Sequence, residues 1–351
     1  MTGADDLALA YACTGGHRPI VELLLHAGAD LHHRHDTPLS EAAGNGHLAL
    51  AEFLLSLGAT PTHPDCQALL GAAYRGQLDC MKLLLSAGAQ VNDTHHTALF
   101  GAAVNGHLEA VRLLLAHGAN PGLLQGQALR NAARGGHLEI AQLLVQAGVD
   151  VNARDESGED ALRIAVHFAH VALVEWLLTQ GASPDGEDGK TPLEAAGAYS
   201  GPQAEATLSL LLAHGATAHR HGDAVLLAAR TSPGLAALLL AHGANPSALS
   251  EEEKYFLLLR ACLGGEATAA RRLMEAGVDP NWRPGQADFV LQRMLSEERG
   301  DYPMSRLLLE YGARLAPPQA ETDLLASVRQ QRRQRQLPED LDAFLSSVGR
   351  G

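Results

Sequence analysis

Residues 37–59 read TPLSEAAGNGHLALAEFLLSLGA, and this stretch predicts two helices joined by a tight turn. Thr37 is suited to cap the first helix, and Pro38 fits its first position, where a missing N–H has no cost. Gly46 fits the left-handed residue that ends a helix. The second helix then runs through the leucines to Gly58. The stretch is therefore a helix–turn–helix hairpin followed by a loop.

The same pattern, a run of leucines followed by Gly and a small residue, recurs ten times. The marking glycines are Gly28, Gly58, Gly88, Gly118, Gly148, Gly181, Gly215, Gly243, Gly277 and Gly312. The first five lie 30 residues apart, and the later intervals are 33, 34, 28, 34 and 35 residues. A fixed period of this size indicates an array of stacked units, each packed only on its neighbours. With aromatic residues at only 4%, helices of Ala and Leu are expected throughout.

These motifs resemble those of the ankyrin-repeat family. The family pattern of Thr-Pro-Leu, Ala-Ala, Gly-His and Leu-Leu-Leu with a closing Gly-Ala is matched at 37–59, at 97–120 and, in part, at 128–152. The resemblance extends over about residues 5–245 and continues in divergent form to Gly312. It implies an all-α ankyrin solenoid of about ten helix–turn–helix units with short finger loops.

The organisation expected from this reading is an array over residues 1–316 and two capping helices over 317–351. Pro317-Pro318 ends the last repeat, and apolar strips in the following segment suit a helical cap over the end of the array. An alternative is an independent domain with enzymatic activity in the divergent region 248–351.

The finger loops depart from the family pattern in length. Four consecutive loops, beginning with Gly28 to Thr37, span nine residues each, whereas Gly148 to Asp160 spans twelve. The Asp-x-x-Gly turn of the family is fully kept only at Asp155 to Gly158. A shallower groove is therefore expected along the first repeats, with the finger side chains closer to the helices.

The net charge and the cysteine content limit which partners and which compartment suit this protein. A formal charge of −14 disfavours attraction to nucleic acids and to anionic membranes. The four cysteines show no CxxC pairing, which indicates a reducing compartment. The sequence shows neither a signal peptide nor a long apolar run. A cytoplasmic monomer is expected, although delivery into another cell is a further possibility.

The 18 histidines fall into three sets. Those at the Gly-His site are expected to hydrogen bond between neighbouring loops, as the resemblance implies: His17, His47, His107, His137 and His170. Those near the ends of second helices suit the helix dipole: His26, His117, His214 and His242. The rest lie in finger loops, where the alternatives are a metal site, a pH-dependent contact surface or plain loop composition: His32, His33, His35, His63, His95, His96, His219 and His221.

No nucleotide-binding, hydrolase or zinc-protease motif is present, so the sequence predicts no enzyme, no cofactor and no metal. The function predicted is a noncatalytic scaffold for a protein partner. An inhibitor or antitoxin-like protein for one cognate partner is the narrower alternative.

The resemblance also implies where a partner would bind, since ankyrin repeats use the residues after the Ala-Ala pair and the finger tips. The expected contact residues are Asn45, Tyr74, Arg75, Val104, Asn105, Arg134, His167, Phe168, His63, His95 and His96. Asp36, Cys66, Glu159 and Lys190 are further finger candidates.

Overall fold

A computed structural model describes residues 3–62, 67–92, 98–186, 191–197, 202–218, 226, 232–285, 290–296 and 302–314. All regular structure in these ranges is helical, which confirms the all-α expectation. No helix within them is long and apolar enough to cross a bilayer. The predicted cap over 317–351 lies outside the described residues, as do His63, His95 and His96.

The chain divides into two compact units, Met1–Ser183 and Pro184–Gly351. The first unit contains six helix pairs. The first helices of these pairs are α1 (Gly3–Thr14), α3 (His33–Gly44), α5 (Ala68–Tyr74), α7 (Ala98–Val104), α9 (Leu123–Gly135) and α11 (Ala161–His167). The second helices are α2 (Arg18–His26), α4 (Leu48–Ser56), α6 (Leu78–Ser86), α8 (Leu108–Ala116), α10 (Leu138–Gln146) and α12 (Val171–Thr179).

The second unit continues the helical pattern less regularly. Its described helices are α13 (Pro192–Gly197), α14 (Pro202–Ala213), α15 (Pro233–Ala241), α16 (Glu251–Leu263), α17 (Ala267–Glu275), α18 (Val290–Ser296) and α19 (Tyr302–Glu310). Helix α15 is apolar on nearly all sides and is buried along most of its length, with α17 packed closely against it. Ser250 and Glu253 form a capping box at the start of α16.

The ten marking glycines behave alike in both units, because each adopts a positive φ, between 79° at Gly312 and 102° at Gly58. The small residue after each glycine is buried, from Ala29 to Ala313. The period read from the sequence therefore coincides with a repeated local geometry at the end of each second helix.

The core of the first unit is built from small residues on the first helices and leucines on the second. Ala42 and Ala43 and their counterparts in the next repeats are fully buried, as are Leu54, Leu84 and Leu114. Consecutive first helices pack more closely together than consecutive second helices do. The first-helix layer is therefore the inner side of the stack.

The short fingers take a form that the sequence did not predict. At the start of α9, Leu124, Gln125 and Gly126 adopt left-handed helical angles, and a right-handed helix follows them. Arg34 and Asp36, in the first turn of α3 (His33–Gly44), also have positive φ. The prediction that Thr37 caps this helix is wrong, because its hydroxyl instead donates to the carbonyl oxygen of Arg34 at 3.0 Å.

Candidate functional site

The predicted contact residues of the helical layer lie at the C-terminal ends of the first helices, and we call this set the inner row. It consists of Asn45, Tyr74, Arg75, Val104, Asn105, Arg134, His167 and Phe168. Each sits where a first helix ends and the turn into the second helix begins. The period of the array therefore places one or two of these side chains at the equivalent position of each successive helix pair.

The inner row differs in exposure along its length. Tyr74 is 52% exposed and Phe168 is 46% exposed, and Arg75, Asn105, Arg134 and His167 are also exposed. Asn45 and Val104 are half-buried. The Asn45 amide donates to the carbonyl oxygen of Glu41 at 2.7 Å, which makes it less available to a partner.

Histidines of the following repeats hold the backbone of the inner row. His107 Nε2 donates to the carbonyl oxygen of Tyr74 at 3.0 Å, and His137 Nε2 donates to that of Val104 at 3.1 Å. His170 Nε2 donates to the Arg134 carbonyl oxygen at 3.2 Å. A carbonyl can only accept, so each ring carries its proton on Nε2. These bonds confirm the structural role expected for the Gly-His histidines.

Helices α5 and α7 pack closely together at Tyr74. A Cβ atom on Gly101 would lie 3.3 Å from both Cα and Cβ of Tyr74, so α7 approaches α5 at van der Waals distance. A Cβ atom on Gly44 would lie 2.8 Å from Arg75 Nη1, which shows that the guanidinium lies over the end of α3. Glycines thus leave room for the larger side chains of the next layer.

An ion cluster surrounds the long finger at Asp155 to Gly158. Glu159 lies 3.9 Å from Arg134 and 3.3 Å from Arg163, so the predicted finger residue Glu159 and the inner-row residue Arg134 come together. Phe168 stacks on His170 with ring centroids 6.1 Å apart, and His170 is the residue that binds the Arg134 carbonyl. His170 therefore contacts both the ring of Phe168 and the backbone of Arg134.

A buried arginine in this cluster was missed by the sequence reading. Arg130 is 2% exposed, and its guanidinium donates to the carbonyl oxygens of Gln125 at 2.6 Å and Leu124 at 3.1 Å. Its Nε lies 3.7 Å from Asp155. Burial lowers the pKa of Arg130, and the facing carboxylates oppose this shift. No repeat-level pattern distinguishes this arginine from the polar or apolar residues at the same position elsewhere.

Two acids of the long finger differ in environment. Burial raises the pKa of Asp160 despite the N–H of Arg163 and the charge of Arg154. Burial also disfavours the charge of Asp155, but hydrogen bonds from Ser157 and the Glu159 N–H outweigh it, and its pKa is lowered. Asp160 caps α11, accepting from the Arg163 N–H at 2.8 Å. Both acids therefore have structural roles at the finger.

One finger candidate is corrected by the structure. Asp36 is 3% exposed and binds His32 Nδ1 at 2.8 Å and the Thr60 hydroxyl at 3.1 Å, so it cannot act as an exposed contact. The left-handed turn folds this side chain inward, an outcome that the loop length alone did not reveal. Cys66 and Lys190 lie outside the described residues.

The described part of the chain contains no group of three His, Cys, Asp or Glu side chains arranged to hold a metal ion.

The histidines near the ends of second helices bond within their own helices. Nδ1 of each donates to the carbonyl oxygen four residues earlier, at 2.7–2.9 Å, in His26, His117, His214 and His242. Cys13, Cys80 and Cys262 are buried thiols. Helices α16 to α19 occupy the described part of the region where a separate enzymatic domain was considered.

Comparisons with known proteins agree with this architecture. The family model described as ankyrin repeats (3 copies) matches residues 2–65 and 61–125, and that described as ankyrin repeats (many copies) matches residues 129–178. A putative ankyrin repeat-containing protein of Treponema pallidum (strain Nichols) is 39% identical over 79 residues, which are 22% of this chain and 26% of that protein. The chain thus matches about a quarter of that relative's length.

A solved structure shows the same likeness in three dimensions. The crystal structure of the human ASB11 ankyrin repeat domain superposes with a TM-score of 0.54 at 29% identity, covering 60% of this chain and 99% of that domain. Repeats of this kind are in general protein–protein interaction modules and are typically noncatalytic. The matched motifs, the helix pairs and the superposed domain together show that this chain belongs to the ankyrin-repeat family.

Proposed function

We propose that the first compact unit is a noncatalytic scaffold that binds a partner protein through the inner row. The proposal rests on one observation: exposed aromatic and cationic side chains project from a backbone that is hydrogen bonded to the next repeat. The main chain of Tyr74 and of Arg134 is bonded to the next repeat, while their side chains remain exposed. Tyr, Trp and Arg are the residue types that most often dominate binding energy.

The charge of the inner row supports a partner with acidic groups. The whole chain carries −14, yet Arg75 is exposed and has no counter-charge among the described residues. Arg134 lies 3.9 Å from Glu159, which also pairs with Arg163, and Arg163 in turn faces Asp160. Arg75 is therefore an exposed cation beside the exposed ring of Tyr74, and a complementary acid on a partner would favour both encounter and orientation.

Photo-crosslinking tests the placement and identifies the partner. A photoreactive phenylalanine at Phe168 or Tyr74 is introduced into the full chain in its native cytoplasm, the compartment that we propose. Leu57, an exposed residue next to α4, serves as the control position. We expect the two inner-row positions to capture the same protein and the control position to miss it.

Affinity measurements with the captured and purified partner then decide the proposal. We expect Tyr74→Ala with Arg134→Ala to weaken binding at least about tenfold, since each residue type can contribute more than 1 kcal/mol. Leu57→Ala with Arg112→Ala removes one exposed apolar side chain and one exposed arginine, beside α4 and on α8, and is the matched control. Equal affinity of both double variants and the unsubstituted protein would contradict the inner row as the binding surface.

A further inference from the structure

A hydrogen bond from a histidine ring joins most neighbouring helix pairs of the first unit. In each case Nε2 of the residue before a second helix donates to a carbonyl oxygen near the end of the preceding first helix, at 2.9–3.2 Å. The four bonds run from His47 to Thr14, from His107 to Tyr74, from His137 to Val104 and from His170 to Arg134. They occur at four of the five boundaries between the six pairs. The exception, which we call the second boundary, lies between the pair α3–α4 and the pair α5–α6.

Gln77 takes the place of the histidine at the second boundary. A Cβ atom on Gly46 would lie 2.5 Å from Gln77 Oε1, and the histidine rings lie over the equivalent glycines at 2.5–2.6 Å. The amide therefore occupies the position of the ring, but its side chain forms no hydrogen bond within the described residues. The carbonyl oxygen of Gly44, the counterpart of the Tyr74 carbonyl, thus receives no imidazole donor.

A second recurring bond is also missing at this boundary. The residue four positions after a marking glycine is Asn92 in the third finger, and its amide donates to the carbonyl oxygen of Gly118 at 2.8 Å. Asn152 bonds in the same way to the next marking glycine, at 3.1 Å. At the second boundary this residue is Thr62, whose methyl group would lie 3.4 Å from a Cβ atom on Gly88. In the part of the chain that the structure describes, the Thr62 hydroxyl has no hydrogen-bond partner.

The other boundaries of the first unit that lack this asparagine have a different bond. At the first boundary the Thr60 hydroxyl donates to Asp36 at 3.1 Å, and at the fourth Asn131 donates to the carbonyl oxygen of Phe100 at 3.2 Å. Gly71 is the counterpart of Asn131 at the second boundary, and a Cβ atom there would lie 3.5 Å from the Cα atom of Gly44. Helices α3 and α5 therefore meet backbone to backbone, in close contact but without these directional bonds.

We propose that the second boundary is a hinge, at which the first two helix pairs open away from the third pair as one cooperative body. The stability of a stacked array is a sum of the stabilities of its repeats and of the contacts between neighbours, so opening occurs where the neighbour contact is weakest. Apolar contact is non-directional, whereas hydrogen bonds depend on orientation. The first two pairs stay together because His47 and Asp36 bond across the boundary between them.

The hinge divides the inner row. Asn45 follows α3 on one side, whereas Tyr74 and Arg75 lie at the end of α5 on the other. Opening changes the spacing between these residues and releases Arg75, since a Cβ atom on Gly44 would lie 2.8 Å from its Nη1. The part of the row from Tyr74 to Phe168 stays on pairs that are bonded at each boundary. Opening is a property of the free chain and does not depend on the proposed function.

Hydrogen–deuterium exchange of the full chain, followed by mass spectrometry of peptides from each second helix, tests the hinge. We expect the slowest amides of α2 and α4 to exchange at one common rate, at least about tenfold faster than those of α8 and α10. Gln77→His supplies the missing donor and should slow α2 and α4 about fivefold, with α8 and α10 unchanged. Gln146→His, at the exposed end of α10, is the matched control and should change neither set.

A second variant tests the hinge even if the new histidine does not reach the Gly44 carbonyl. His107→Gln with Asn92→Thr gives the third boundary the residues that the second boundary has. We expect the slowest amides of α6 then to exchange as fast as those of α2 and α4, because the third pair now opens together with the first two. Circular dichroism establishes that all variants are equally helical.

Two results would overturn the proposal. One is exchange in the unsubstituted protein that slows gradually from α2 through α4 and α6 to α8, because this gradient indicates fraying from one end of the stack. The other is an unchanged rate for α2 and α4 in Gln77→His together with an unchanged rate for α6 in the second variant. Both measurements use the free protein, so binding through the inner row is decided separately, by the affinity of Tyr74→Ala with Arg134→Ala.

Discussion

The Nε2–H of His107 donates to the carbonyl oxygen of Tyr74 across a repeat boundary, at 3.0 Å. The bond leaves the phenol of Tyr74 exposed while its main chain is tied to the next helix pair. Val104 and Arg134 are held in the same way. The array therefore presents contact side chains from a backbone that the following repeat stabilises, and this arrangement reduces the ordering cost of binding.

Replacing His107 by Ala should destabilise the protein by about 1 kcal/mol, because a solvent-accessible hydrogen bond between repeats is lost. His117→Ala, which removes only a bond to a carbonyl within the same helix, should cost less than about 1 kcal/mol. Urea denaturation of the two variants followed by circular dichroism measures both values. Equal losses would show that the inter-repeat bond has no special role.

Substituting Gly76 by Ala should be more harmful than the same change at Gly118. Both residues have positive φ, 68° and 85°, so each variant incurs a backbone cost of about 1 kcal/mol. At Gly76 a Cβ atom would also lie 2.6 Å from His107 Nδ1, whereas nothing lies within 4 Å at Gly118. We expect urea midpoints to fall further for Gly76→Ala.

A double-mutant cycle tests the cause of that difference. Combining Gly76→Ala with His107→Ala removes the ring with which the methyl group collides, so the two losses should sum to more than the double variant shows. Strict additivity would place the extra cost of Gly76→Ala somewhere other than at the His107 ring.

Arg130→Met should destabilise the protein by about 2–4 kcal/mol, because the carbonyl oxygens of Leu124 and Gln125 lose a buried donor and Asp155 loses a counter-charge. Arg134→Met, one helical turn later at the exposed C-terminal end of α9, should change stability by less than about 0.5 kcal/mol. Thermal and urea unfolding compare the pair. A small effect at Arg130 would mean that the left-handed turn holds without it.

Asp155 should make stability depend on pH in the acid range. Its pKa is lower in the folded protein, so its contribution is present above the unfolded value of about 3.9 and is lost as pH falls through the folded value. The stability advantage of the unsubstituted protein over Asp155→Asn should therefore shrink below about pH 4. Urea titrations at several pH values measure this difference, and a constant gap would contradict the assignment.

Cys13 should resist alkylation in the folded protein. Burial and the nearby Glu41 raise the pKa of its thiol to about 12, so almost no thiolate exists at neutral pH. We expect iodoacetamide labelling of Cys13 to be at least roughly a hundredfold slower than that of a free thiol, and to accelerate only when urea unfolds the chain. Mass spectrometry of the labelled peptide follows the reaction, and rapid labelling without denaturant would disprove the burial.

Particular residues show how far a sequence reading reaches. The Gly-His histidines were predicted to bond between loops, and four of them do so, because the pattern repeats both donor and acceptor at a fixed offset. Asp36 was taken for an exposed finger residue and is buried, because the direction of a loop side chain depends on backbone angles that loop length does not determine. Asn92 and Asn152 bond to the next repeat at Gly118 and Gly181, a ladder that was not foreseen.

The sequence by itself determined the elements whose causes are local and periodic. Glycine at each repeat end permits positive φ, and regular spacing of Ala and Leu selects the faces that pack, so the helix pairs and their stacking follow from the chain. Only the tertiary structure decided which exposed groups share a surface. Contacts between neighbouring repeats bring Arg134 to Glu159 and bury Arg130, while Tyr11 and Leu23 stay exposed. These outcomes depend on how each repeat packs against its neighbour.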